Sequence, residues 1–217
     1  MIRLSLLVEG DSDEKFVRET LKPFLAKWKV YIEDIVNLKG VSSWKRLRKD
    51  LKGLIEMSGI NDSSAWVTTL LDFYGLPAIQ GYAEIPCALT PREQVQEAQR
   101  RLEEKINHPR FIPFLALHEF EAWLFSAPDV AAEYFGQPEL ANKMREIVVV
   151  AGEPELINHG VNTHPKARLK SLGVGYKETS DGPILLEKIG IETIQAACPH
   201  FSAWIDRLQA LASPPGL

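Results

Sequence analysis

Short apolar segments alternate with amphipathic segments over the first half of the chain. Residues 2–8 are almost entirely apolar, as is typical of a strand buried on both faces of a parallel sheet. Similar runs predict strands at residues 30–36, 65–71 and 111–117. Pro113 lies inside the last run, and sheets tolerate proline mainly at their edges. We therefore expect this fourth strand at a sheet edge or with an irregular start.

The intervening segments have the spacing of amphipathic helices. Asp11 and Glu14 match a capping box before the first of them, and Thr90 and Glu93 match a second box before another. Between these lies a basic amphipathic helix at residues 43–57. Strand signals are scarce beyond residue 127. Four helical patterns occur there, at residues 138–150, 166–172, 183–189 and 200–212.

This order of elements predicts an α/β fold. We expect a four-stranded, mostly parallel sheet flanked by helices, with right-handed crossovers and a helical C-terminal extension. Residues 1–127 would form the α/β domain, and residues 128–217 would form a helical extension packed on the same domain.

Composition narrows the function classes. The chain has 217 residues, of which 45% are hydrophobic and 25% charged, and these are ordinary globular values. No apolar run approaches the length of a membrane span, and the N-terminal run is too short for a signal peptide, so we expect a cytoplasmic protein without membrane contact. Cys87 and Cys198 form no zinc-binding or disulfide pattern.

The net charge of −4 argues against a protein that coats nucleic acid. It does not exclude a nuclease, because metal ions and a local basic patch can neutralise phosphates. No Walker A, GxSxG or HExxH pattern occurs, which argues against an ATPase, a serine hydrolase or a zincin of those types.

Acidic residues follow three of the four predicted strands. Glu9 comes after the first strand, Asp72 after the third and Glu119 after the fourth, with Glu121 two residues further on. The carboxyl ends of parallel strands meet at one edge of a sheet, where ligands bind. Clustered carboxylates suit Mg²⁺ or Mn²⁺. Acids after strands are also common helix caps, and we interpret Asp13 in this structural way, as capping or solvated.

Several motifs resemble a known family. Leu7-Val8-Glu9-Gly10, with Glu14 and Phe16, is similar to the opening motif of Toprim domains, which occur in topoisomerases, primases and overcoming-lysogenization-defect (OLD) nucleases. The segment from Leu70 to Pro77 resembles their second acidic motif. More narrowly, residues 118–126 and 198–201 resemble a Toprim-like bacterial family of unassigned function, whose members are often encoded near ATPases.

The resemblance implies a Toprim-like fold and a Toprim mechanism. Glu9 would act as a general acid/base or metal ligand, and Asp72 would hold Mg²⁺. The family's second aspartate is replaced by Tyr74, which puts a two-metal mechanism in doubt more than metal binding itself. Glu119 or Glu121 would supply the missing carboxylate.

Two cations add a candidate anion site. Lys166 and Arg168 lie at the start of a predicted helix, where backbone N–H groups and positive charge favour phosphate. Both would serve as catalytic cations beside Glu9. The structural alternative is a solvated helix face.

We therefore expect a Mg²⁺-dependent phosphodiesterase acting on DNA or RNA. By the resemblance it would be an effector of an anti-phage defence module, with a separate ATPase as partner. The alternative is a non-catalytic Toprim-like module that binds such an ATPase or nucleic acid. The sequence does not distinguish a monomer from an oligomer.

Overall fold

The sheet is parallel throughout. A computed structural model describes residues 1–40, 43–59, 62–73, 85–86, 88–157 and 162–212. Its strands run in the order β2-β1-β3-β4, and β5 also pairs with β3. The strand bounds are β1 Ile2–Val8, β2 Val30–Asn37, β3 Ala65–Asp72, β4 Phe111–Ile112 and β5 Leu115–Ala116. The predicted α/β class, with a mostly parallel sheet flanked by helices, is confirmed.

The predicted fourth strand is divided into β4 and β5, with Pro113 in the gap between them. Threonine hydroxyls from β3 satisfy the backbone groups at this interruption. Thr69 Oγ1 donates to the carbonyl of Phe114 at 2.8 Å and accepts from its N–H at 2.9 Å. Thr68 Oγ1 donates to the carbonyl of Ile112 at 2.6 Å. All four residues are buried, so water cannot reach these backbone groups. The threonine hydroxyls therefore take the place of the strand-to-strand hydrogen bonds that are missing at the break between β4 and β5.

Ten α-helices lie within the described part of the chain. A π-helical turn at Val17–Leu21 joins the first two, and 3₁₀ turns occupy Phe120–Ser126 and Pro154–Leu156. The α-helices are α1 Asp11–Phe16, α2 Lys22–Ala26, α3 Trp44–Met57, α4 Pro91–Ile106, α5 Pro128–Phe135, α6 Glu139–Ala151, α7 Pro165–Ser171, α8 Glu178–Ile189, α9 Ile191–Ala197 and α10 Pro199–Ala210.

Helix α8 begins five residues before the predicted start. The sequence suggested Pro183 as its first residue, whereas Pro183 lies inside the helix. Proline has no N–H to donate to the carbonyl four residues earlier, that of Thr179. Lys15 Nζ on α1 donates to this carbonyl at 3.0 Å, so a tertiary contact supplies the bond that the proline removes.

Two apolar layers cover the sheet. The side chains of β1 alternate between them: Leu4, Leu6 and Val8 belong to the larger cluster, and Leu7 to the smaller. Helices α3 and α4 contribute to the smaller cluster. The larger cluster contains residues of α1, α2 and α5–α10 together with the side chains on the opposite face of the sheet. The C-terminal helices therefore pack on the same face of the sheet as α1. The predicted boundary after residue 127 stays a prediction.

Some predicted features lie outside the described residues. These are Tyr74, Cys87, most of the irregular connection between β3 and α4, and the last five residues. In the described ranges no helix combines the length and apolar character needed to cross a bilayer.

Replacing Thr69 by valine is expected to lower the free energy of unfolding by about 1–3 kcal/mol. Valine has nearly the same shape but leaves the buried N–H and carbonyl of Phe114 without their partner. Urea denaturation measures the loss. Thr69→Ser, which keeps the hydroxyl, should recover most of it. A valine variant as stable as the wild type would show that these bonds contribute nothing.

Candidate functional site

The parallel pairing of β1 with β3 brings Glu9 to Asp72. Val8 pairs with Leu70 in the register of these strands, so Glu9, which follows β1, and Asp72, the last residue of β3, meet at the carboxyl edge of the sheet. The backbone N–H of Asp72 donates to Glu9 Oε2 at 3.1 Å. The two predicted residues are therefore neighbours, held by a backbone hydrogen bond.

Glu121 lies at the same edge of the sheet, on the side of β3 opposite to β1. Strand β5 pairs with β3 so that Ala116 lies opposite Asp72, and the chain then enters the 3₁₀ turn that carries Glu121. The Glu121 side chain is fully buried. Its Oε1 accepts a hydrogen bond from the Tyr176 hydroxyl at 3.3 Å, and its Oε2 has no hydrogen-bond partner among the described residues. A buried carboxylate oxygen without a partner is costly unless a ligand or cation meets it.

Lys166 supplies positive charge to this acidic edge. Its ammonium lies near three carboxylates, at 3.0 Å from Glu178 Oε2, 3.6 Å from Glu121 Oε1 and 3.7 Å from Glu119 Oε1. Burial lowers the pKa of Lys166, but the three carboxylates raise it by more, so its pKa lies above the usual value. Lys166 therefore remains protonated, as an internal counter-ion.

Glu119 holds the start of α7 in place. Its Oε2 accepts from the backbone N–H of Lys166 at 3.1 Å and lies 2.9 Å from His164 Nδ1. We expected a substrate phosphate at this helix start, but the chain's own carboxylate fills the position. Glu119 thus orients Lys166, and one of its oxygens is already engaged.

Arg168 lies elsewhere. Residues two apart on a helix point to nearly opposite sides, since each residue turns the helix by about 100°. Lys166 faces the acidic edge, whereas Arg168 lines a cleft between α6 and α7. The predicted catalytic role of Arg168 stays a prediction that this geometry does not favour.

Asp13 was assigned a structural role from the sequence and is both a cap and a member of the acidic group. It accepts from the backbone N–H of Gly10 at 3.0 Å, so it occupies the capping position expected of Glu14. It is also buried, and of the neighbouring carboxylates it is the strongest contributor to the raised pKa of Asp72. Glu178 was missed altogether, because nothing in the sequence around it distinguishes it from a solvated helical acid.

The acids of the predicted capping box at Asp11 and Glu14 instead bind polar and basic neighbours. Asn37 Nδ2 donates to both side chains, at 2.9 Å in each case. Lys39 pairs with Asp11, and Arg18 pairs with Glu14. These contacts lower the pKa of both carboxyl groups and leave them outside the buried group.

Carboxyl groups at this edge bind protons unusually tightly. Burial, followed by the charges of Asp13, Glu9 and Glu121, raises the pKa of Asp72 well above its usual range. Burial raises the pKa of Glu121 to about 8 and that of Asp13 to about 7. Burial also raises the pKa of Glu9, against the opposing effects of the Asp72 N–H and Lys166. Burial is the largest cause of each rise, and the single ammonium of Lys166 offsets only part of the cost of ionising these groups.

These residues fit a divalent cation in their chemistry. They offer hard carboxylate oxygens, including an unpartnered buried oxygen on Glu121, which Mg²⁺ and Mn²⁺ favour. They are not arranged as a closed centre: in the parts of the chain that the structure describes, no three His, Cys, Asp or Glu side chains are grouped to hold a metal ion.

The chain belongs to the family described as Domain of unknown function (DUF4276), whose model matches residues 8–209. No curated protein matches it. It is similar to the C-terminal region of the Burkholderia pseudomallei OLD protein at 11% identity and a TM-score of 0.47, over 98% of this chain and 100% of that one. For the C-terminal region of the Xanthomonas campestris pv. campestris OLD protein, the identity is 16% and the TM-score 0.35, over 95% and 98% of the two chains.

Glu121→Gln is expected to flatten the pH dependence of stability in metal-free buffer. The folded-state pKa of Glu121 is about 8 against an ordinary 4.5, so the folded protein binds more protons than the unfolded chain between these values. The contribution of Glu121 to stability is therefore greatest below pH 4.5 and is lost as the pH rises to 8, by roughly 1.4 kcal/mol per unit of pKa difference. The variant should keep a smaller pH dependence of stability, because the pKa of Asp13 is also raised, to about 7.

Urea unfolding with EDTA at several pH values measures the slope. The matched control is Glu104→Gln, which changes an exposed acid paired with Arg100 on α4 and should keep the wild-type slope. A Glu121→Gln protein with an unchanged slope would mean that Glu121 is not a buried carboxyl group with a raised pKa.

Proposed function

We propose that this member of the DUF4276 family is a Mg²⁺- or Mn²⁺-dependent phosphodiesterase that cleaves DNA or RNA. The observation that supports it best is the contact between Glu9 and Asp72, at the ends of adjacent parallel strands, with buried Glu121 beside them. Ligands of open α/β sheets bind beyond this edge.

Glu9 and Asp72 would hold the cation, with Glu121 or Asp13 beside them. The second aspartate of the Toprim pattern, where this sequence has Tyr74, would be replaced by Glu121, as predicted from the sequence, or by buried Asp13. The strong effect of Asp13 on the pKa of Asp72 supports its inclusion. A bound divalent cation would polarise a phosphate and lower the pKa of a water molecule.

Glu9 is suited to proton transfer. Its Oε2 is fixed by the Asp72 N–H, and no hydrogen bond to Oε1 occurs among the described residues. Burial raises its pKa toward the range in which a carboxylate accepts a proton efficiently near neutral pH. Glu9 would accept the proton of the attacking water or return one to the leaving oxygen.

Lys166 would offset negative charge that develops on the phosphate. Its ammonium is already directed at the acidic edge and is held there through the backbone contact with Glu119. A preorganised cation needs little rearrangement during the reaction, which is the main source of electrostatic catalysis. Glu119 acts in this scheme as a positioning residue for Lys166.

The biological setting is proposed from the resemblance to the Toprim-like bacterial family. The protein would be a cytoplasmic effector in an anti-phage defence module. It would work with a separate ATPase, because the chain itself has no Walker A motif.

A second candidate is a non-catalytic module that binds the ATPase. The position of Lys166 favours it, since an ammonium among Glu119, Glu121 and Glu178 neutralises part of the site without any metal. In this case the acidic edge would serve stability and recognition rather than turnover.

Cleavage of labelled DNA and RNA distinguishes the two candidates. We expect Mg²⁺- or Mn²⁺-dependent cleavage that EDTA abolishes and that Asp72→Asn lowers by roughly 100-fold or more, the scale of losing one catalytic electrostatic contact. The matched control is Asp129→Asn, which changes an exposed aspartate on α5 paired with Arg145 and should keep full activity.

Two results would reject the phosphodiesterase. One is equal cleavage by Asp72→Asn and wild type, which would place the activity in another site or a contaminant. The other is no cleavage of any substrate with either metal, with or without a candidate ATPase partner, together with no stabilisation of the fold by Mn²⁺. That second result supports the binding module.

A further inference from the structure

The cleft between α6 and α7 that Arg168 lines has a volume of about 670 Å³. This lies within the range of sites that hold small organic ligands. Its walls are mainly aliphatic, and three charged side chains line it. The lining residues that matter here are Ile147, Leu156, Leu172, Lys143, Glu146 and Arg168.

Arg168 is the unusual member of this lining. Its Nε atom is buried and has no hydrogen-bond partner, and no carboxylate in the described parts of the chain forms an ion pair with it. Glu146 lines the same cleft without pairing with it. The half-buried guanidinium of Arg168 lies at the wall of an aliphatic cleft without an ion pair among the described residues, and a charge-assisted hydrogen bond to an anion is strong where little water competes.

We propose that this cleft binds a small amphipathic anion. A carboxylate or phosphate ester would accept hydrogen bonds from Arg168, with Lys143 adding positive charge. An apolar chain or ring would lie against Ile147, Leu156 and Leu172. Two cations against one acid give the cleft a positive balance, although the whole chain has a net charge of −4.

The concave shape and the single buried donor favour a small molecule over a protein surface. Small-molecule sites combine apolar walls with a few polar groups that fix the ligand's orientation. The rim carries Val150, which is 88% exposed and would also suit contact with a second copy of the chain. The experiment below treats such self-association as an opposing outcome.

Two fluorescent probes with the same aromatic body test the proposal. 8-Anilinonaphthalene-1-sulfonate carries an anion, and N-phenyl-1-naphthylamine does not. We expect one anionic probe bound per chain, and Arg168→Gln should weaken it about tenfold or more, as the loss of a charge-assisted hydrogen bond implies. Binding of the neutral probe should change less than about threefold, because the apolar walls remain.

Control variants separate this effect from general damage. Lys170→Gln removes an exposed cation of α7 that does not line the cleft, and it should bind both probes as the wild type does. Arg168→Lys keeps the charge and should retain part of the affinity. Thermal unfolding checks that each variant is folded, and a destabilised Arg168→Gln is replaced by Arg168→Met for the same comparison.

Displacement of the anionic probe distinguishes the sources of the anion. Decanoate and decyl phosphate should displace it, and the tighter of the two identifies the preferred head group, while 1-decanol should displace it poorly. Equal anionic-probe affinity in wild type and Arg168→Gln would overturn the proposal, as would displacement by 1-decanol as effective as by the anions. A dimer that excludes the probe and dissociates in Val150→Asp would equally overturn it, because the cleft would then be an interface between copies.

Discussion

The parallel pairing of β3 with β1 on one side and β5 on the other fixes the arrangement of the acidic edge. It places Glu9 against the backbone of Asp72, and it delivers the chain after β5 to the same edge, where Glu121 is buried. A slip of one residue in either register would turn these side chains to the other face of the sheet. The apolar alternation of β1, packed on both faces, makes such a slip costly.

The site is an electrostatic compromise. Burial, and after it the charges of neighbouring carboxylates, raises the pKa of several carboxyl groups at this edge, and one ammonium, that of Lys166, offsets only part of the effect. Such an arrangement lowers stability in the absence of a cation and gains from binding one, which is the usual relation between active-site charge and stability. The contact of Glu119 with the start of α7 keeps Lys166 in position. Fold and proposed function therefore depend on the same charges.

The main strands, and the meeting of Glu9 with Asp72 at one edge of the sheet, could be predicted from sequence because each depends on a local signal. Mostly apolar runs mark β1 and β3; Glu9 directly follows β1, and Asp72 is the last residue of β3. Asp13 could not be distinguished, because a capping aspartate and a buried one have the same sequence context. The start of α8 was placed too late, because the bond removed by Pro183 is replaced by Lys15, more than 160 residues away in the chain. Lys166 and Arg168 lie on opposite sides of α7, and which side faces the acidic edge depends on how the helix packs. The sequence of this short segment does not specify that packing.

The central claim is that the acidic edge binds a divalent cation, and anomalous X-ray scattering from crystals grown with Mn²⁺ tests it most directly. We predict a manganese peak bounded by carboxylate oxygens of Glu9 and Asp72, at ligand distances of about 2.0–2.4 Å. The absence of a peak there at saturating Mn²⁺, with Lys166 still among the three carboxylates, would contradict it and leave the edge as a structural ion-pair network.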